Sequence, residues 1–193
     1  MPVEPTAARS VFAQEVPPEL LAQARHGDMQ AHAELYRRFA APVFNLALRV
    51  LGERTAAEDV VQEVFLRVLA RVRRYRGEAP FGLWLRRLAV NATIDQLRSR
   101  RFLAETDMDA LLAGLGAPGP LPEEQAEALA LLMRLPPQAR AVVVLHELEG
   151  YTHAELARMF DQTESYSKSI LSRALARLRR RLGREGIGLE SLP

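Results

Sequence analysis

The chain has 193 residues, 48% of them apolar, enough for one ordinary domain or two small ones with real cores. It has no cysteine, which excludes a disulfide framework, a thiolate metal site and a thiol nucleophile, and its net charge is only +2, so any meeting with a polyanion must rest on local patches. No stretch has the length and apolarity of a membrane span, and the N-terminal residues lack a basic start followed by a long apolar run, so a cytoplasmic protein without membrane insertion is expected.

Apolar residues recur almost everywhere at spacings of three and four, and nowhere do they alternate as in a strand; the expected fold is all-α. Residues 1–17 read as an N-terminal tail. Pro17-Pro18 opens a first helix to about Arg25, His26-Gly27-Asp28 breaks it, and a long helix carries Leu35, Phe39, Val43, Leu46 and Val50 to a stop at Gly52. Thr55 and Glu58 have capping-box spacing at the start of a helix to about Arg73. After the interruption from Gly77 to Pro80, a further helix carries Phe81, Trp84, Leu85, Leu88, Ile94 and Leu97 to about Arg101. These elements make a first domain, 18–102.

Between Leu103 and Met133 there is no Lys or Arg, while Glu105, Asp107, Asp109, Glu123, Glu124 and Glu127 are acidic, and glycine and proline crowd the stretch before residue 122. Residues 103–122 therefore read as a flexible acidic linker. In the second domain, 123–193, a helix from Glu123 to Met133 precedes one that starts at Pro136-Pro137 and ends at Gly150. Thr152 and Glu155 then form a second capping box.

The last elements are a short helix to Phe160, a turn over Asp161-Gln162-Thr163-Glu164, and a long helix from Ser165 to Arg184. Short helix, turn and long helix read as a helix-turn-helix, whose second helix enters the major groove of DNA. From Lys168 to Arg184 there are seven Lys and Arg and no acid. Ile170, Leu171, Ala174, Leu175, Leu178 and Leu182 form an apolar stripe to pack on Val143, Leu156 and Met159. That leaves Ser165, Tyr166, Ser169, Ser172 and Arg173 on the exposed side, with Lys168 and Arg177 close by, and hydroxyls and guanidinium groups suit base edges and phosphates. The same run also reads as a solvated basic face of an amphipathic helix.

Three segments together carry a family resemblance: AEDVVQEVFLRVL (57–69), WLRRLAVNATIDQLRSRR (84–101), and LPPQARAVVVLHELEGYTHAELARMF followed by SYSKSILSRALARLR. They resemble a bacterial sigma factor of the sigma-70 family, in the short two-domain extracytoplasmic-function form, and the likeness covers nearly everything from Leu20 to Leu182. The resemblance implies a subunit that binds core RNA polymerase, directs it to promoter DNA through the minus-ten and minus-thirty-five elements, and melts the former. Residues 18–102 would be sigma region 2 and residues 123–193 sigma region 4. It also implies an anti-sigma factor as partner.

Carried over by position, Asp59, Gln62 and Glu63 match the segment that docks on the clamp helices of the largest catalytic polymerase subunit. Steps of three and four put them on one helix face, with Val60, Val61, Val64, Phe65 and Val68 available for burial behind and Leu66 exposed among the polar groups. Residues 71–101 correspond to the minus-ten reader. Arg73, Arg74 and Arg76 supply charge before the loop, and Asn91 and Arg98 offer donors from the helix behind it, as holding unstacked bases requires. Phe81 and Trp84 read as core. The minus-thirty-five contacts fall to Ser165, Tyr166, Lys168, Ser169, Ser172, Arg173 and Arg177. Here the chain departs from many relatives, which have Gly, then Thr or Ser, then Val before the Lys-Ser pair and Arg after it; this chain has Ser165, Tyr166, Ser167 and Ile170. The linker takes the place of the segment that threads near the polymerase active-site cleft.

No cofactor, metal site or enzymatic activity is expected. His26, His32, His146 and His153 lack metal-ligand spacing with partner acids, no glycine-rich phosphate loop is present, and no serine sits in a nucleophile elbow. His153 reads as a surface residue at a helix end. Two alternatives remain: a stand-alone helix-turn-helix regulator that never touches polymerase, and a protein-protein adaptor of two helical bundles.

Overall fold

The structure is a computed structural model and describes residues 11–106 and 123–182. Among these residues every regular element is helical, and they fall into two units divided between Leu121 and Pro122. Of the expected linker, residues 103–106 are helical; the rest, like residues 1–10 and 183–193, lies outside the described residues.

In the first unit, α1 (Pro18–Arg25) begins with proline at its first position, where a missing N–H costs nothing. Helix α2 (Met29–Leu51) is capped by Asp28, whose carboxylate accepts from the N–H groups of Gln30 at 2.7 Å and Ala31 at 3.0 Å. Gly52, at φ 78°, ends it in the left-handed conformation. Pro42 stands inside α2. A proline there cannot donate to the carbonyl four residues back, and the side-chain amide of Gln14 takes that place, donating to the Arg38 oxygen at 3.1 Å. Residues 11–17 are thus tied down, contrary to their reading as a tail: Val11–Ala13 form a 3-10 turn with Phe12 buried.

Helix α3 (Arg54–Arg71) corrects the first capping box. Its N-cap residue is Glu53, with no side-chain cap. The Thr55 hydroxyl donates to the Glu53 carboxylate at 2.5 Å, and Glu58 pairs with Arg54 at 2.8 Å, so both groups of the expected box are committed elsewhere. A 3-10 turn (Val72–Arg74) leads through residues 75–80 to α4 (Phe81–Thr106), which runs past its expected end near Arg101. Helices α2, α3 and α4 pack on one another around Leu35, Phe39, Val43, Leu46, Val60, Val64, Leu85 and Val90. Each such leucine or phenylalanine contributes about 1.5–3 kcal/mol through burial.

In the second unit, α5 (Glu123–Met133) is followed by α6 (Pro137–Val143), which passes directly into a π-helical turn (Val144–Leu148) that the sequence reading did not anticipate. Gly150, at φ 72°, reverses the chain. Helix α7 (His153–Phe160) has the full capping box: Thr152 accepts from the Glu155 N–H, and the Glu155 carboxylate accepts from the Thr152 N–H at 2.8 Å. Asp161 at φ 52° makes the turn, and the Thr163 hydroxyl accepts from the Tyr166 N–H at 3.1 Å as α8 (Glu164–Leu182) begins. Helices α6 and α7 both pack on α8. Val143, Leu156, Leu171 and Ala174 are buried at the centre; Met159, Ile170, Leu175, Leu178 and Leu182 border them half-buried. Arg140 is also buried there, and desolvation lowers its pKa to about 10.

Candidate nucleic-acid interface

The stripe of α8 fixes what its other face presents. Burial of Leu171 and Ala174 against α6 and α7 turns Ser165, Tyr166, Lys168, Ser169, Ser172, Arg173 and Arg177 to solvent. The first six line a single open depression at the N-terminal half of the helix. Arg173 bonds through its Nε to the Ser169 carbonyl oxygen at 3.1 Å, which lays the guanidinium along the helix with its other donors turned outward. Tyr166, 37% exposed, stands in the depression and not in the core. Hydroxyls, an ammonium, a guanidinium and one aromatic ring in a concave, acid-free patch can donate to phosphate oxygens and to acceptors on base edges.

Ser167, which the sequence reading passed over, lies on the opposite face and is buried. Its hydroxyl is 3.0 Å from Nδ1 of His153, whose ring stacks on that of His146 with centres 4.3 Å apart and planes at 22°. His153 is therefore partly buried against the second helix of the motif and not a surface residue. A polar side chain between two exposed neighbours, three and four residues before Ile170 and Leu171, was the available signal.

In the first unit, Asp59 and Gln62 are exposed on α3, with Leu66 65% exposed beside them. Glu63 is partly covered because Arg67 bridges it, at 2.5 Å, towards Asp95 of α4, at 3.7 Å. Leu69 is also open, and Phe65 is only half-buried: its ring meets exposed Tyr36 of α2 at 4.7 Å. Leu66, Leu69 and Tyr36 thus give the face more apolar surface than the sequence reading assigned, a composition suited to a protein partner.

Arg73, Arg74 and Arg76 are exposed around the connection between α3 and α4, and Asn91 and Arg98 are exposed on α4. Arg76 lies 3.7 Å from Glu78. The connection is held from below. Arg25 of α1 donates to the Tyr75 carbonyl oxygen at 2.5 Å, and the Tyr75 hydroxyl donates to the Ala79 oxygen at 2.5 Å. The Tyr75 ring packs on Phe81 and Trp84, and this burial raises its pKa. Phe81 is buried as expected, whereas Trp84 is half-buried at the edge of the cluster.

Among the described residues no group of three or more His, Asp or Glu could hold a metal ion, and no helix is long and apolar enough to cross a membrane. Residues 35–102 match the family model for Sigma-70 region 2, and residues 125–178 that for Sigma-70, region 4. The chain is 33% identical over 171 residues to the ECF RNA polymerase sigma factor SigM of Mycobacterium tuberculosis, covering 86% of this chain and 84% of that one. It is 28% identical over 176 residues to the ECF RNA polymerase sigma factor SigW of Bacillus subtilis, covering 83% and 93%. In fold it is similar to the sigma factor RpoE from Bartonella quintana, solved in complex with the anti-sigma factor NepR, with a TM-score of 0.58, 19% identity, and coverage of 78% of this chain and 96% of that one.

Proposed function

Because the chain belongs to the sigma-70 family, in its extracytoplasmic-function group, we propose that it binds core RNA polymerase and directs promoter-specific initiation by recognising the minus-thirty-five element and recognising and melting the minus-ten element. One observation carries the upstream half of this reading: six side chains of α8 line one open depression on the second helix of a capped helix-turn-helix. There Lys168 and Arg173 hold phosphates, and Ser165, Tyr166, Ser169 and Ser172 stand near base edges, with Arg177 a turn further along the backbone. For polymerase, Asp59, Gln62, Glu63 and Leu66 form the docking face, extended by Leu69 and Tyr36. For the minus-ten element, Arg73, Arg74 and Arg76 attract the strand, and Asn91 and Arg98 contact it from α4.

In this role the chain carries no reaction of its own; catalysis belongs to the polymerase. It works in the cytoplasm and is held in check by an anti-sigma factor that covers these faces. Purified core polymerase supplied with the chain is expected to initiate from specific promoters. Failure both to co-elute with core polymerase and to support initiation defeats the proposal; tight, specific binding to duplex DNA alone would then favour a stand-alone regulator.

A further inference from the structure

The partner of Ser167 assigns a role to residues outside the DNA-contacting face. Ser167 is 3% exposed and lies between Tyr166 and Lys168, so its placement fixes where both neighbours project. Its hydroxyl is held by His153 Nδ1, the first residue of α7, across 14 positions of sequence. His153 is held in turn by the stacked ring of His146. The His146 Nδ1 lies 2.7 Å from the Tyr151 carbonyl oxygen, which only accepts, so that nitrogen carries the proton and the tautomer of the lower ring is fixed. From the π turn to the start of α8 the contacts form one chain: Tyr151 carbonyl, His146, His153, Ser167.

We propose that the His146–His153 stack is a positioning device for the minus-thirty-five reader: with His153 neutral it seats Ser167 and the start of α8, and protonation of His153 releases them, making upstream-element recognition sensitive to mildly acidic pH. The proposal rests on the reading that α8 contacts DNA.

The electrostatics around the ring support it. Facing His153 are His146 and Glu147 from the π turn and Glu164 and Lys168 from α8. Burial, the neighbouring imidazole and the Lys168 ammonium disfavour a charge on His153; Glu164 and Glu147 oppose them and are outweighed, so its pKa lies below the ordinary value. The sign follows. A base whose folded-state pKa is depressed contributes stability that is complete above the unfolded value, about 6.5, and is lost as pH falls towards the folded value. A charged His153 gains by leaving the stack for water, and Ser167 then loses its buried partner.

The test uses the full chain assembled with core polymerase on a promoter duplex, comparing an intact minus-thirty-five element with a scrambled one at pH 7.5 and pH 5.5. Asparagine can place an amide where His153 Nδ1 lies and does not titrate. H153N is therefore expected to keep the preference for the intact element at both pH values, whereas in the wild type that preference falls by about three- to tenfold at the lower pH. H153A and S167A are expected to lose most of the preference already at pH 7.5, with assembly on core polymerase unchanged. If H153N follows the wild-type pH profile, or is as weak as H153A at pH 7.5, or if H153A matches the wild type, the device is refuted. Absence of any preference in the wild type at pH 7.5 would instead defeat the underlying reading that α8 reads DNA.

Discussion

The guanidinium of Arg25 donates to the main-chain oxygen of Tyr75 at 2.5 Å while lying 5.5 Å from the centre of the same residue's ring. One cation from α1 thus holds both the backbone and the side chain of the residue that opens the connection into α4. Replacing it leaves a carbonyl short of a charged donor and a ring without its cation, a combined loss of about 1–2 kcal/mol. R25A is expected to lower the thermal midpoint and to slow promoter opening more than it weakens polymerase binding. Permanganate footprinting of the melted strand against co-elution with core polymerase separates the two; wild-type opening in R25A would free the loop from this control.

Gly82 faces a different constraint. A Cβ built on it would stand 1.8 Å from the Phe12 main-chain oxygen, so the 3-10 turn at Val11–Ala13 packs on α4 only because that position has no side chain. G82A is expected to cost about 3 kcal/mol, as forced overpacking does. At Gly77, φ is 78° but nothing lies within 4 Å, so G77A meets only backbone strain, about 1 kcal/mol. Urea unfolding of both variants checks the order; equal losses would show that the Phe12 turn simply lifts away.

Reversing the charge at Asp59 and Glu63 together is expected to weaken binding to core polymerase by about tenfold or more while circular dichroism stays helical. The Glu63 change also removes a partner of Arg67, so D59K alone, at an exposed position with no such link, is the cleaner probe. Wild-type affinity in D59K and in the double variant would take these acids out of the interface.

Lys168 and Arg173 make a prediction about salt. If each neutralises one phosphate, K168A and R173A should each lower the slope of log affinity against log salt concentration by about one. Holoenzyme binding to a promoter fragment over a salt series measures it. An unchanged slope in both variants would place these side chains off the DNA backbone.

The elements most legible in the sequence were those whose signal is local. The spacing of Leu35, Phe39, Val43, Leu46 and Val50 needs only the helical period, and the outward face of α8 follows from its stripe. The Thr152 box formed because both of its side chains were free to close it. The Thr55 box did not, because Glu53 and Arg54, flanking residues absent from the motif, captured its two partners. Contacts that bridge distant positions left no local trace: Arg25 meets Tyr75 across 50 residues, and a buried serine on α8 finds its histidine on another helix. Pro42 was visible as a letter, but the amide that occupies the carbonyl it frees comes from a stretch that reads as a tail.

The π turn at Val144–Leu148 acts as a phase setter for everything after it. It holds one residue more than α-helical winding would, and each residue of an α-helix advances the face by about 100°. Deleting a single residue there would let α6 continue as regular helix, but would rotate the exit towards Gly150 by that angle and carry His146 off the ring it supports. Length variation at this point would therefore change the azimuth of the DNA-facing helix without touching any residue that contacts DNA.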